Sequence, residues 1–308
     1  MAKVNYKINY EISDELKNKI TAKPIKTNYL YSGDDFIFET LHSLRRELNA
    51  GTISLNDGDI LVVSEKFVST SQGNFVDENK SKPKLSAYFC YYWSKYIWGY
   101  ILGPLLKTRS DRVLNLRKMP KPETLKHKQV VIDNVGFIYA LKPASEGGID
   151  LTNVPGTYAS LLPSKPKETM DKLYNAIKKE FDVDLTVMLI DTDATYKFYK
   201  WYITALPYAI DGIIAKIGVF GYILGKIGNL LNMGGLYGAT PLAITGNNVY
   251  KKYSMELLLY IANLADTSQV PYTKSIHDLM KKYNTYTITE KVLSDMEHSP
   301  VVIVKIEG

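Results

Sequence analysis

Two periods run through the apolar positions of this chain, and the local period assigns the elements. Val4, Tyr6, Ile8 and Tyr10 alternate with polar residues, the period-two pattern of a half-exposed strand. After a turn at Ser32-Gly33-Asp34-Asp35, the residues Phe36, Ile37, Leu41, Leu44 and Leu48 recur at helical spacing. They predict a helix over Phe36 to Asn49 with Asp34 or Asp35 as its cap. Asn56-Asp57-Gly58-Asp59 then turns the chain into Ile60-Leu61-Val62-Val63-Ser64, a continuous apolar run that reads as a buried strand. A polar joint, Lys80 to Lys84, precedes an aromatic helical region, Leu85 to Leu106. Gln129 to Asp133 and Val135 to Leu141 read as two strands joined tightly at Asp133-Asn134. A glycine-rich loop, Ser145 to Asn153, follows. Then come an amphipathic helix, Thr169 to Phe181, and an apolar strand, Leu185 to Ile190, ending at Asp191-Thr192-Asp193. Residues 266–298 are polar and read as inserted before a last strand, Val301 to Lys305. Irregular alternation of strands and helices favours an α+β fold, and no internal repeat is present.

At 308 residues, 45% hydrophobic and 23% charged, the chain can bury a sizeable core, which excludes disordered and disulfide-scaffold classes. The formal charge of +6 is read as spread too evenly for nucleic-acid binding. Tyrosine is over-represented, at 24 residues against 9 Phe. Cys90, the single cysteine, permits no intramolecular disulfide and no multi-cysteine metal site. It sits in an aromatic run without activating cations, as a buried bystander would. The four histidines, His42, His127, His277 and His298, have no metal-ligand spacing and read as surface residues. The first residues have no secretory pattern, so the mature chain is expected to start there and to be cytoplasmic.

Two segments approach the length and apolarity of a membrane span. Leu85 to Leu106 is long enough to span but carries Lys95 at its centre and Gly103-Pro104 near its end. Gly218, Gly221, Gly225 and Gly228 place four glycines on one helix face, where a neighbouring backbone can come close. Both read as tightly packed helices, with a peripheral membrane or partner contact as the alternative.

Chemistry is expected where acids meet strand ends and glycine loops. Asp191 at a strand terminus could hold a hard divalent cation that bridges phosphates, and Asp150 closes a glycine loop able to line an anion site. No nucleotide-binding glycine motif and no serine nucleophile elbow is found.

Three segments in order carry a resemblance: Gly58 to Ser69, Gly147 to Val154, and Val187 to Thr192. Fainter support comes from Ser32 to Asp35, Tyr208-Ala209-Ile210, Leu236-Tyr237-Gly238, Ala262-Asn263-Leu264 and Pro300 to Val304. Together they resemble the coenzyme F420-0:L-glutamate ligase family, which uses GTP to add γ-linked glutamate to a deazaflavin cofactor. The likeness covers most of residues 24–265 and the last strand. It implies an α+β fold of mixed and antiparallel sheets with packed helices, in two intertwined subdomains, usually a homodimer. It also implies GTP, or ATP, with two Mg²⁺ or Mn²⁺ ions in a cleft. By the same resemblance Asp150 and Asp191 would bind the first metal and Thr192 the second. Asn153, with Gly147, Gly148 and Asn28, would contact the nucleotide, and Lys66, which matches a lysine common in many members, would supply catalytic charge from a point two turns of strand away from Thr70. A ligase-like domain would occupy 1–265, split near 80–130, with an insertion at 266–298 and a final strand at 299–308.

Departures from the family pattern bear on substrate. Thr70 stands where the family has a lysine, and Asp193-Ala194-Thr195-Tyr196-Lys197 replaces its Gly-Arg after Asp191-Thr192. Arginine's planar fork is not reproduced by Lys197 or Lys200. The leading expectation is therefore a divergent amide ligase that joins an amino acid, glutamate first, to a small carboxylate acceptor through an acyl phosphate. The alternative is a family member without catalysis that acts as an interaction or membrane-peripheral protein. Tyrosines at 88–100 and 196–208 suggest ring faces for a flat acceptor.

Overall fold

The computed structural model describes residues 8–144, 146–151, 154–269 and 289–307. A short helix α1 (Asp14–Asn18) leads into β1 (Ile20–Thr27) and then α2 (Phe36–Asn49). Of the two candidate caps, Asp35 closes α2, its carboxylate accepting from the Ile37 N–H at 2.8 Å and the Phe38 N–H at 3.2 Å. β2 (Ile60–Ser64) passes directly into helix α3 (Glu65–Ser71), followed by β3 (Phe75–Asp77). The aromatic region comprises α4 (Leu85–Tyr92), a π-helical segment Trp93–Leu102 and one turn, α5 (Gly103–Leu105). Three further helices, α6 (Ser110–Lys118), α7 (Lys121–Asn134) and α8 (Phe137–Ala140), precede β4 (Tyr158–Ser160) and α9 (Pro166–Phe181). The long strand β5 (Thr186–Phe198) is followed by β6 (Trp201–Thr204), β7 (Ile213–Ile214), α10 (Val219–Leu230) and β8 (Gly234–Gly246). Helices α11 (Met255–Ser268) and α12 (Glu290–Ser294) and strand β9 (His298–Ile306) complete the described chain.

Seven strands form one mixed sheet, ordered β1-β9-β2-β5-β6-β7, with β8 on the other side of β5. β2 and β5 are parallel neighbours, while β9 runs antiparallel to both β1 and β2. The unbroken apolar run of β2 is explained by burial on both faces. Leu61 and Val63 point into a core with Phe36, Leu44, Phe67 and Leu173 from α2, α3 and α9. Ile60 and Val62 point into a second core with Leu259, Ile261 and Ala262 of α11. The fold is thus α+β, with a mixed sheet and packed helices, as the element pattern predicts.

α10 carries the glycine face. A side chain at Gly221 would strike the Thr204 carbonyl, and one at Gly225 would strike the Tyr196 ring, so the helix lies directly against β5 and β6. Among the described residues no helix is long and apolar enough to cross a membrane.

Several expectations fail. Gln129 to Leu141 is not a strand pair: α7 continues to Asn134, and α8 follows after Gly136, whose φ of +112° breaks the helix. Its Val-Val-Ile run is apolar enough for either state, and helical packing of Leu125, Lys128 and Val131 decides it. The alternating N-terminal segment falls largely outside the described residues, and 8–10 are not a strand. Most of the expected insertion at 266–298, residues 270–288, also lies outside them, and the last strand begins earlier, at His298.

Candidate functional site

The parallel register of β2 and β5 sets Ser64 opposite Ile190. The residues just beyond that pair, Glu65 and Asp191, therefore lie together at the C-terminal end of β2. Asp191 is not at a strand end, as expected, but in mid-strand, because β5 outlasts β2 and continues beside β6. The change of partner is accompanied by a bulge against β8, where the register jumps between Asp191 and Ala194. Within it the Asp193 N–H donates to Asp191 Oδ1 at 2.7 Å. Asp191 is only 5% exposed, and its Oδ2 has no hydrogen-bond partner among the described residues.

α3 supplies the adjoining charges. Residues 65–71 are helical rather than extended, so Lys66 and Thr70 are one turn apart and line one cleft. Lys66 Nζ donates to Asp150 Oδ2 at 2.5 Å. Burial lowers the Lys66 ammonium, and the Asp150 and Glu65 charges more than offset this, holding it above its ordinary value. Burial drives the Glu65 carboxyl up to about 7, with Lys66 opposing and Asp150 adding to the rise. Burial, then the charges of Glu65 and Asp193, push Asp191 well above the carboxylate range.

Asp150 is delivered by its loop. The Asp150 N–H donates to the Ser160 carbonyl at 3.1 Å, and the Ser160 N–H returns a bond to Asp150 at 2.8 Å. Gly147 and Gly148 have φ of +66° and +79°. Side chains there would meet Val135, Tyr139 and Leu162, so the glycines shape a packed turn rather than an open cradle. Behind them Lys128, 1% exposed, donates to Glu146 at 2.7 Å and to the carbonyls of Ala140 and Lys142. His127 is not the surface residue expected: Nδ1 meets Glu78 at 2.6 Å and Nε2 meets Glu146 at 3.5 Å. Buried charges on α7 thus anchor the residue preceding the glycine turn.

A cleft of about 140 Å³ opens beside Lys66, lined also by Asn28, Ser64, Thr70, His298 and Ser299. His298 therefore faces the cleft, and His277 lies outside the described residues. Asn28 borders the cleft while both its N–H groups, backbone and side chain, are held by Glu39. The Thr192 hydroxyl donates to Asp266 on α11 at 2.8 Å. Asn153 is outside the described residues. Lys197 is engaged elsewhere, with Glu11 at 2.6 Å and Glu256 at 2.8 Å. The tyrosines of 88–100 do not line the cleft. Cys90 is buried as expected, and burial raises its thiol to about 11.

Four residues at this site were not singled out from sequence. They are Glu65, Asp193, Lys142, which pairs with Asp193 at 3.2 Å, and Tyr208, whose hydroxyl is raised by burial and then by Asp191 and Glu65. Glu65 was the accessible one, since it immediately follows a buried strand. Among the described residues no three His, Cys, Asp or Glu side chains converge as a ready metal site. The donor chemistry nonetheless suits a hard cation: crowded carboxylates and a buried oxygen with no hydrogen-bond partner among the described residues.

Relatives of this chain fall into two groups. A protein of uncharacterized function from Methanocaldococcus jannaschii is 57% identical over 286 residues, 93% of this chain and 96% of that protein. The coenzyme F420:L-glutamate ligase of Methanothermobacter thermautotrophicus is 26% identical over 167 residues, 52% of this chain and 56% of that protein. The profile of the F420-0:gamma-glutamyl ligase family matches residues 24–252. Most of the chain lies within that match, and the chain belongs to the F420-0:gamma-glutamyl ligase family.

Proposed function

We propose that the chain is a nucleotide- and metal-dependent amide ligase that joins glutamate to a small carboxylate acceptor related to the deazaflavin coenzyme. The single observation that carries this reading is the convergence of Glu65, Asp150 and Asp191, from three distant segments, on the charge of Lys66, which lines the cleft. A divalent cation, Mg²⁺ or Mn²⁺, would be held by Asp150 and Asp191, and when bound it would neutralise phosphate charge. Lys66, with its ammonium held charged, would take a phosphate oxygen of GTP or ATP in exchange for Asp150. In the reaction the acceptor carboxylate attacks the terminal phosphorus, releasing the nucleoside diphosphate. The amino group of glutamate then displaces phosphate from the acyl phosphate and loses its proton. In this reading Glu65, raised to about 7, accepts that proton. Absence of the family arginines leaves phosphate recognition to lysines, which act as point charges and select the acceptor less strictly. A homodimer is part of the same reading.

The test is ligation of glutamate to F420-0 and to a panel of small carboxylic acids, with GTP or ATP and Mn²⁺. Bound nucleotide at a hundred times its dissociation constant adds about 2.7 kcal/mol of stability, readable as a thermal shift. Asp191→Asn should abolish turnover. If no nucleotide shifts the melting temperature and no acceptor is extended, the ligase reading fails.

A further inference from the structure

The chain's positive charge is concentrated in one stretch. Residues 80–128 hold twelve Lys and Arg against two Asp and Glu, while the rest of the chain is net acidic. The same stretch contains α4, the π-helical segment and α5, which run continuously from Leu85 to Leu105. Their inner face is buried through Ala87, Cys90, Tyr91, Trp98 and Gly103. Their outer face exposes Leu85 at 89%, Phe89 at 54%, Tyr96 at 50%, Ile101 at 55% and Leu105 at 64%.

The rings on this face are pre-arranged. Tyr92, Tyr96 and Tyr100 stack in sequence, with centroids 5.9 and 6.2 Å apart. Cations sit directly on the stripe: Lys121 donates to the Tyr92 hydroxyl at 3.0 Å, and the Arg117 guanidinium lies 4.5 Å from the Tyr100 centroid. Exposed Lys107, Arg112 and Lys118 follow on the next helix and its approach. An amphipathic helical face with aromatic and aliphatic residues outward and Lys/Arg at its margin is built to lie in a bilayer interface. Tyrosines there sit at headgroup depth, and the basic side chains reach anionic lipid phosphates.

We propose that this face docks on the surface of an anionic lipid bilayer without spanning it. Charge decides against a second copy of the chain, since a two-fold contact would press this basic face against itself. Nucleic acid is disfavoured because the tyrosine faces are taken up by one another and by cations, and Leu85, Ile101 and Leu105 offer nothing to phosphate or base. The proposal is independent of the ligase reading and stands if that reading fails.

Co-sedimentation with phosphatidylglycerol/phosphatidylcholine vesicles tests it, against vesicles of phosphatidylcholine alone. The full chain should pellet with the anionic vesicles at least tenfold more than with the neutral ones, and raising the salt to 0.5 M should release it. Two variants of unchanged melting temperature, Tyr92→Ser/Tyr96→Ser/Ile101→Ser and Lys107→Glu/Arg112→Glu/Lys118→Glu, should each lose that binding tenfold or more. Absence of pelleting with anionic vesicles overturns the proposal, as does full retention by the serine variant, which would leave charge alone. A concentration-dependent dimer abolished by the serine variant, or binding of a single-stranded RNA in place of vesicles, overturns it too.

Discussion

Lys66 Nζ lies 2.5 Å from Asp150 Oδ2 and so ties α3 to a loop 84 positions later in the chain. With the side chains 24% and 42% exposed, this pair contributes little to stability. Lys66→Ala should therefore change the melting temperature by the equivalent of about 1 kcal/mol or less. It should also remove a charged hydrogen bond to bound GTP, weakening the nucleotide by roughly tenfold to a hundredfold. Thermal melts with and without GTP and Mn²⁺ separate the two effects, and a large loss of stability without nucleotide would contradict the assignment.

The cluster behind the loop makes stability depend on pH. Burial lowers the His127 imidazolium, and Glu146 and Glu78 outweigh both burial and Lys128, leaving it above its ordinary value. A group raised on folding stabilises fully below its unfolded value of about 6.5. That contribution is lost as the pH climbs through the folded value. Melting curves of the native chain and His127→Gln should therefore lie farthest apart at mildly acid pH and converge on the alkaline side. Parallel curves from pH 5.5 to 9 would rule this out.

Close approach of α10 to the sheet leaves no room at its glycines. Gly225→Ala would drive a methyl into the Tyr196 ring, and Gly221→Ala into the Thr204 carbonyl. Overpacking of this kind costs about 1–3 kcal/mol, against a gain of about 1 kcal/mol in helix propensity. Both substitutions should destabilise, Gly221→Ala more, since backbone yields less than a ring. Chemical denaturation measures the order.

Lys197 and Glu256 form a largely buried pair at 2.8 Å, 12% and 8% exposed, and Tyr202 donates to the same carboxylate at 2.5 Å. Lys197→Met alone strands the buried carboxylate and should cost about 3–5 kcal/mol. Adding Glu256→Gln should recover part of that loss. Additive single effects in a double-mutant cycle would show that the pair is not coupled.

Elements whose pattern is strong and local are legible along the chain. Phe36–Asn49 and Ile60–Ser64 are where periodicity and turn chemistry place them, and the glycine face of α10 packs closely as its spacing requires. The ordered segments around Lys66, Asp150 and Asp191 were also enough to identify the family. The rest depends on packing between segments distant in the chain. A short apolar run such as Val130-Val131-Ile132 satisfies helix and strand alike, so burial against neighbouring elements chose the helix. Glu65 and Lys142 stand beside Asp191 and Asp193 because a parallel register and a bulge bring distant segments together, and no local pattern encodes that distance. The basic stretch and the tyrosines were both countable along the chain. That they share one outward face follows from a helix already held to the core by its inner side, which leaves its outer rings nowhere to be buried.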